Sequence, residues 1–131
     1  MFYARLDTEH RTLAYANAGH NPPLLFRSKE GVSMELDADG LLMGVKTGVF
    51  FEEKTTRMEA GDILVLYTDG VTEAENAEGE LFGTGRLCGV IAEQRGCHPE
   101  EIMAAIFQEL GEFAGSKPLL DDVAMTIFKM V

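Results

Sequence analysis

Cysteine is scarce in this sequence, with only Cys88 and Cys97 among 131 residues. The two do not form a CxxC pair, and no cluster of histidines and cysteines indicates a zinc site. The sequence alone leaves a disulfide between them open. Because we expect a cytoplasmic protein, in which thiols stay reduced, we predict two free cysteines.

Basic residues are also few, with 11 Lys and Arg against 22 Asp and Glu, which gives a net charge of −11. Such a chain should repel nucleic acid and anionic membranes. It suits divalent cations or basic partners, although acids that simply solvate the surface explain the charge equally well. The sequence has no apolar run near the roughly 18 to 20 residues that span a bilayer, and it starts without a signal-peptide pattern.

The 46% of hydrophobic residues is enough for one folded domain over residues 1–131. Alternation of apolar and polar residues, interrupted by turn signals, predicts a series of short strands. They are residues 1–6, 13–18, 24–28, 32–36, 49–58 and 63–68, with a closing strand at 121–131. Helical spacing predicts a helix after Gly83 and another over 98–115, while residues 37–48 should form an irregular loop. This pattern indicates an α+β fold with helices packed on antiparallel sheet.

Three aspartates lie at the ends of predicted strands. Asp69 directly follows the apolar run 63–68, which is typical of a strand covered on both faces, and Asp121 and Asp122 open the closing strand. If the two strands are antiparallel neighbours, these carboxylates meet at one edge of the sheet. A bound Mg²⁺ or Mn²⁺ would then relieve their repulsion. A plain turn at Asp69 and a capping role for the later pair explain the pattern equally well.

Two loop motifs near Asp69 give weaker signals. Asp69 and Glu80 have the spacing of the first and last ligands of an EF-hand. However, Val71 falls where an oxygen ligand is needed and Ala74 where glycine is needed, so the EF-hand is disfavoured. The glycines of residues 83–89 have the wrong spacing for a dinucleotide loop, and we predict that this segment begins a helix.

His20 is the most conspicuous of the three histidines. It lies in "GHNPP", residues 19–23, where glycine and two prolines break the strand pattern. The sequence has no second ligand at metal-binding spacing from it. We therefore predict a turn residue rather than a catalytic one.

Three longer motifs carry a family resemblance. They are "YANAGHNPPLL" at 15–25, "EAGDILVLYTDGVTEAENAEGELFG" at 59–83 and "DDVAMTIF" at 121–128. In this order and spacing the sequence resembles the C-terminal part of the PPM-type, metal-dependent serine/threonine phosphatases. It is most similar to the bacterial branch related to stage II sporulation protein E and the sigma-factor-regulating phosphatases.

The resemblance implies a β-sandwich flanked by helices, with two Mn²⁺ or Mg²⁺ ions at one edge. In such enzymes a metal-activated water hydrolyses phosphoserine or phosphothreonine directly. By motif, Asp69 and Asp121 match metal-binding aspartates of the family, and Asp122 is a further candidate ligand. The implied substrate is a phosphorylated regulatory protein such as an anti-anti-sigma factor.

Two departures from the family pattern bear on activity. Ala124 stands where the family has threonine, and no early Asp-Gly motif, which would supply further metal ligands, precedes Met1. We therefore expect Met1 to be an internal residue or an artificial start, and the sandwich to be incomplete. An incomplete site should bind metal weakly and leave the isolated chain inactive or weakly active. An incomplete sandwich should also expose an apolar face and open strand edges, through which the chain would form a homodimer or bind a partner segment.

The alternative is a non-catalytic module in which a phosphatase-like fold acts by binding another protein. Phosphatase activity that depends on Mn²⁺ and is lost in Asp69→Asn would favour the enzyme. Partner binding without activity would favour the module.

Overall fold

The computed structural model describes residues 1–119 and 121–131, and these form seven strands and three helices. In chain order they are β1 (Phe2–Asp7), β2 (Thr12–Asn17), β3 (Leu24–Arg27), β4 (Val32–Glu35), β5 (Lys54–Arg57), β6 (Ile63–Tyr67), α1 (Asp69–Thr72), α2 (Gly83–Glu93), α3 (Pro99–Ala114) and β7 (Met125–Lys129). This arrangement confirms the predicted α+β class and both predicted helices.

The strands form two antiparallel sheets. The first has the order β1-β2-β5, and the second has the order β4-β3-β6-β7. β6 therefore lies between β3 and β7, and its pairing with β7 is antiparallel, with Tyr67 opposite Met125. The end of β6 and the start of β7 consequently lie at the same edge of the second sheet, as the carboxylate hypothesis requires.

The two central strands of the second sheet, β3 and β6, are buried on both faces. One face forms the helix-side core with α2 and α3, and the other forms the inter-sheet core with β2. The residues of β6 alternate between the two, since Ile63, Val65 and Tyr67 belong to the helix-side core and Leu64 to the inter-sheet core. This explains why the sequence of β6 is apolar throughout.

A buried ion pair joins the two sheets at the end opposite Asp69. Asp62 is 1% exposed, and its carboxylate accepts hydrogen bonds from Arg27 at 2.8 Å, Ser28 N at 3.0 Å and Glu59 N at 2.9 Å. The same guanidinium donates to Thr56 Oγ1 of β5 at 2.7 Å. Arg27 of the second sheet is thereby fixed to β5 of the first, and the buried carboxylate is fully hydrogen-bonded.

Two predicted strand boundaries were wrong, and one short helix was missed. The strand predicted at 49–58 is limited to Lys54–Arg57. The residues before Lys54 do not pair with β2. Glu52 N donates to Asp39 O at 3.0 Å, and the Gly40 backbone lies against Asn17, at the end of β2. The closing strand begins at Met125 rather than at residue 121, and the short helix α1 was not predicted.

An apolar groove of about 340 Å³ opens between the first sheet and β7. Its lining includes Tyr3 and Leu6 of β1, which are 62% and 38% exposed, and Phe128 of β7, which is 51% exposed. β1 and β7 are also edge strands, each paired with a neighbour on one side only. The structure thus has the exposed apolar surface and open edges expected from the sequence.

Two further expectations concern the cysteines and the membrane. Cys88 and Cys97 are both free, as predicted. In the part of the chain that the structure describes, no helix has the length and apolar character needed to cross a membrane.

Candidate active site

Thr68 joins the two segments that carry the candidate aspartates. It follows β6 directly, and its Oγ1 donates to the Asp122 carbonyl at 2.8 Å and accepts from Ala124 N at 3.0 Å. Its own backbone N donates to the Ala124 carbonyl at 3.0 Å. These three bonds extend the β6–β7 pairing beyond Met125 as far as Asp122. Asp69 and the later pair are therefore held at one edge of the sheet by the side chain and backbone of Thr68.

Gly70 allows the two segments to approach closely. A Cβ at this position would lie 2.5 Å from the Asp122 carbonyl oxygen and 3.2 Å from that of Asp121. No side chain fits at the first of these distances, so the approach of α1 to residues 121–122 depends on glycine. The glycine of the "TDG" motif is thus required for packing rather than for an unusual backbone angle.

The three aspartate side chains are exposed at this edge. Asp69 Oδ1 accepts from Gly70 N at 3.1 Å, and Asp121 Oδ1 accepts from Asp122 N at 2.7 Å. Within residues 1–119 and 121–131, none of the three carboxylates forms a salt bridge. These carboxylate oxygens therefore retain lone pairs that are free to accept a cation.

The fit of these residues to a metal is partial. Exposed carboxylates are the hard oxygen donors that Mg²⁺ and Mn²⁺ prefer. However, the described residues contain no group of three or more His, Cys, Asp or Glu side chains that could hold a metal ion. The fold thus brings Asp69 to the edge that carries Asp121 and Asp122, but it does not assemble them into a three-ligand site. The assignment of the three as metal ligands stays a prediction.

Lys117 ties the segment before Asp121 to the loop after α1. Its Nζ donates to Glu75 Oε2 at 2.5 Å and to the Asn76 carbonyl at 3.2 Å. A cleft of about 160 Å³ lies beside this contact and is lined by Gly70, Glu73, Ala74, Glu75, Leu81 and Asp121. The contact holds Lys117 against the loop that follows Asp69, and Asp121 lines the same cleft.

Tyr67 anchors the site to the core. It is the last residue of β6, is 4% exposed and belongs to the helix-side core. Burial raises the pKa of its hydroxyl, the nearby Glu35 carboxylate adds to the increase, and a hydrogen bond with Thr84 opposes it. Tyr67 therefore stays neutral at physiological pH, and the packed core extends to within two residues of Asp69.

His20 lies in the turn that follows β2, as predicted. Its backbone N donates to Asn17 Oδ1 at 2.8 Å, its carbonyl accepts from Asn17 Nδ2 at 2.8 Å, and its Nδ1 lies 2.6 Å from the Asn21 carbonyl. Asn17 is 5% exposed, so this turn is closed by a buried amide. The segment 18–23 crosses from the first sheet to the second at the end where Asp69 lies, since Leu24 pairs with Val65.

No prediction from the sequence included Thr68, Gly70 or Lys117 in the site. A glycine directly after the candidate ligand is a signal of close backbone approach and could have indicated Gly70. Thr68 binds the backbone of Asp122 and of Ala124, on either side of Val123. This contact uses only the backbone of Ala124, so it does not need the threonine that the family has there. The sequence has no local signal for Lys117, because its partner Glu75 is 42 residues away.

A family model described as stage II sporulation protein E matches residues 1–131. The chain belongs to this family. It is 35% identical over 81 residues to the "Phosphoserine phosphatase RsbU" of Bacillus subtilis, a match that covers 62% of this chain and 24% of RsbU. It is 33% identical over 126 residues to "Protein IcfG" of Synechocystis, which covers 95% of this chain and 19% of IcfG. The chain thus spans a quarter or less of the length of these two relatives.

Solved structures agree with this membership at the level of fold. The RsbU and RsbW domains of Rv1364c from Mycobacterium tuberculosis match with a TM-score of 0.78 at 22% identity, covering 98% of this chain and 35% of that one. The SiaA-PP2C domain of Pseudomonas aeruginosa matches with a TM-score of 0.79 at 23% identity, covering 99% and 51%. The stage II sporulation protein E family member described here therefore has the fold of part of a PP2C-type phosphatase domain, as the sequence predicted.

Proposed function

We propose that this chain is part of a metal-dependent protein serine/threonine phosphatase domain, in which Asp69, Asp121 and Asp122 are metal ligands. The observation that supports the proposal best is the junction made by Thr68, which holds the segments of these aspartates together at one sheet edge. Family membership and the likeness to RsbU, a phosphoserine phosphatase by its printed name, support the same reaction class.

In this proposal the residues of the chain bind and position a cation. A bound Mn²⁺ or Mg²⁺ supplies a Lewis acid that lowers the pKa of water and neutralises phosphoryl oxygens. Asp69 and Asp121 provide negative charge at the sheet edge, and Thr68 and Gly70 fix the spacing between their segments. Rigid strands position such a group better than a free loop would.

The proposed substrate is phosphoserine or phosphothreonine on a regulatory protein of the anti-anti-sigma type. The printed name of RsbU, a phosphoserine phosphatase, supports the phosphoserine substrate, and the sigma-factor branch of the sequence resemblance supports the regulatory protein. The net charge of −11 is unsuited to nucleic acid, so a protein is the better substrate class.

The test is hydrolysis of p-nitrophenyl phosphate and of a phosphoserine protein by the chain, with and without Mn²⁺. Because the chain alone is expected to be at most weakly active, the variants are compared in a version extended upstream. There we expect Mn²⁺-dependent turnover that falls at least about 100-fold in Asp69→Asn, since a lost metal ligand removes the charge that holds the ion. Asp7→Asn is the matched control, because it removes the same charge from an exposed turn at the other end of the sandwich. Equal activity in Asp69→Asn and wild type would refute the role of Asp69.

A second candidate function is a non-catalytic module that binds a partner protein. The absence of a three-ligand group within the described residues favours it. Calorimetry separates the two candidates. Mn²⁺ uptake that is abolished by Asp69→Asn supports the metal site, whereas partner binding without Mn²⁺ uptake or turnover supports the module.

A further inference from the structure

The connection between β4 and β5 exposes an unusual number of apolar side chains. Residues 37–53, called here the apolar loop, contain six of them: Leu41, Leu42, Met43, Val45, Phe50 and Phe51. Phe50 is 96% exposed and Val45 is 68% exposed. Single exposed apolar residues are ordinary, but six within eleven positions of one loop indicate a surface that is covered by another molecule.

The base of the apolar loop is fixed to the sandwich. Asp39 N donates to Glu52 Oε2 at 2.8 Å, and Glu52 N donates to Asp39 O at 3.0 Å. Lys54 Nζ donates to the Asp37 carbonyl at 2.8 Å. The two ends of the loop are therefore held together, and its apolar residues are presented from a defined base rather than from a free tether.

The loop leaves the sandwich at the same end as the candidate carboxylates. β4 ends at Glu35 opposite Leu24, and Leu24 also pairs with Val65, two residues before the end of β6. Leu42 further contacts the 18–23 crossover, since a Cβ at Gly19 would lie 2.5 Å from its Cδ2 atom. The loop and Asp69 thus belong to one end of the molecule.

The outer part of the loop differs in charge from its base, which carries four acids: Asp37, Asp39, Glu52 and Glu53. Residues 40–51 contain no acid and one base, Lys46, although the whole chain has a net charge of −11. An acidic chain repels a phosphoprotein at long range, because phosphoserine carries about −1.5 to −2 charge. A segment without acids beside the carboxylates is where a phosphorylated surface can approach with the least repulsion.

We propose that the apolar loop is the docking surface for the phosphoprotein substrate. It binds apolar side chains that flank the phosphoserine and so places the phosphate at the edge that carries Asp69. This inference rests on the proposed function, and it adds a substrate preference: phosphoserine next to aliphatic or aromatic residues.

The experiment measures binding, so that it does not depend on turnover. Two fluorescein-labelled phosphoserine peptides of equal length and charge are compared by anisotropy, one with Leu and Val around the phosphoserine and one with Ser and Gly. We expect the apolar peptide to bind about tenfold more tightly. Phe50→Ser should remove this preference, while Val32→Ser, a change at a 54% exposed residue of the β4 edge, should retain it.

Equal affinity for the two peptides, or a preference that survives in Phe50→Ser, would overturn the proposal. Two other results would overturn the proposal if they occur without the peptide preference. They are loop-dependent binding to phosphatidylcholine vesicles and Phe50-dependent dimerisation in sedimentation. Mn²⁺-dependent hydrolysis of p-nitrophenyl phosphate is measured in parallel. In a version extended upstream, a peptide preference without hydrolysis would contradict the phosphatase but not the docking surface. Hydrolysis without a peptide preference would contradict the docking surface but not the phosphatase.

Discussion

Gly70→Ala tests the geometry on which the candidate site depends. The added Cβ would lie 2.5 Å from the Asp122 carbonyl oxygen, whereas ordinary contacts begin at 3.4 Å. The first turn of α1 and residues 121–122 must therefore separate by up to about 0.9 Å, the difference between these distances. Overpacking of this kind costs about 1–3 kcal/mol. We expect the variant to be less stable by that amount and to bind Mn²⁺ more weakly.

Gly89→Ala is the matched control for this change. Gly89 lies inside α2, and a Cβ there would have no neighbour within 4 Å. Alanine should stabilise this helix by up to about 1 kcal/mol because glycine is a poor helix former. The same substitution is thus predicted to have opposite signs at two helical glycines.

Urea denaturation of the wild type and both variants measures these effects. With slopes of about 1–3 kcal/mol/M, the midpoint should fall by roughly 1 M in Gly70→Ala and rise slightly in Gly89→Ala. Calorimetric titration with Mn²⁺ under native conditions then reports on the site. If Gly70→Ala is as stable as the wild type, α1 and residues 121–122 are not in close contact and the site geometry is wrong.

Three further predictions concern the sheet junctions and the groove. Asp62→Ala leaves Arg27 without its buried partner and should cost about 3–5 kcal/mol in urea denaturation; a loss below about 1 kcal/mol would contradict the pairing. Thr68→Val removes both side-chain bonds to the β7 segment and should cost about 1–3 kcal/mol, while Thr68→Ser should retain most of the stability. We expect the wild type to self-associate through the apolar groove in sedimentation at high concentration, and Tyr3→Lys to weaken this association. A wild type that stays monomeric would contradict that expectation.

The sequence predicted best the features that depend on local pattern. β6 is apolar at every position, and it is the strand buried on both faces. The helix over Pro99–Ala114 begins with proline and two glutamates, which fit the first turn and the positive end of the helix dipole. The turn at His20 follows from glycine and proline chemistry, and it has the buried Asn17 amide as its support.

The features that depend on distant contacts could not be predicted in this way. Val49, Phe50 and Phe51 have strong strand propensity, but the place beside β2 is taken by the Gly40 backbone, so they stay in the apolar loop. The role of Thr68 depends on a partner 54 residues away, which no periodicity reveals. The antiparallel pairing of β6 with β7 places Asp69, Asp121 and Asp122 at one edge of the sheet, as predicted. Strand pairing alone does not determine how many of these carboxylates converge.

The burial of β6 on both faces also governs how the molecule should open in solution. Amide hydrogens of β6 can exchange only when both its packed layers and both its neighbouring strands separate, whereas β1 is largely exposed and is bonded on one side alone. Hydrogen exchange should therefore be slowest in β6 and fastest in β1. Asp69 follows directly on the strand expected to open last, so brief local unfolding elsewhere in the sandwich should leave its position undisturbed.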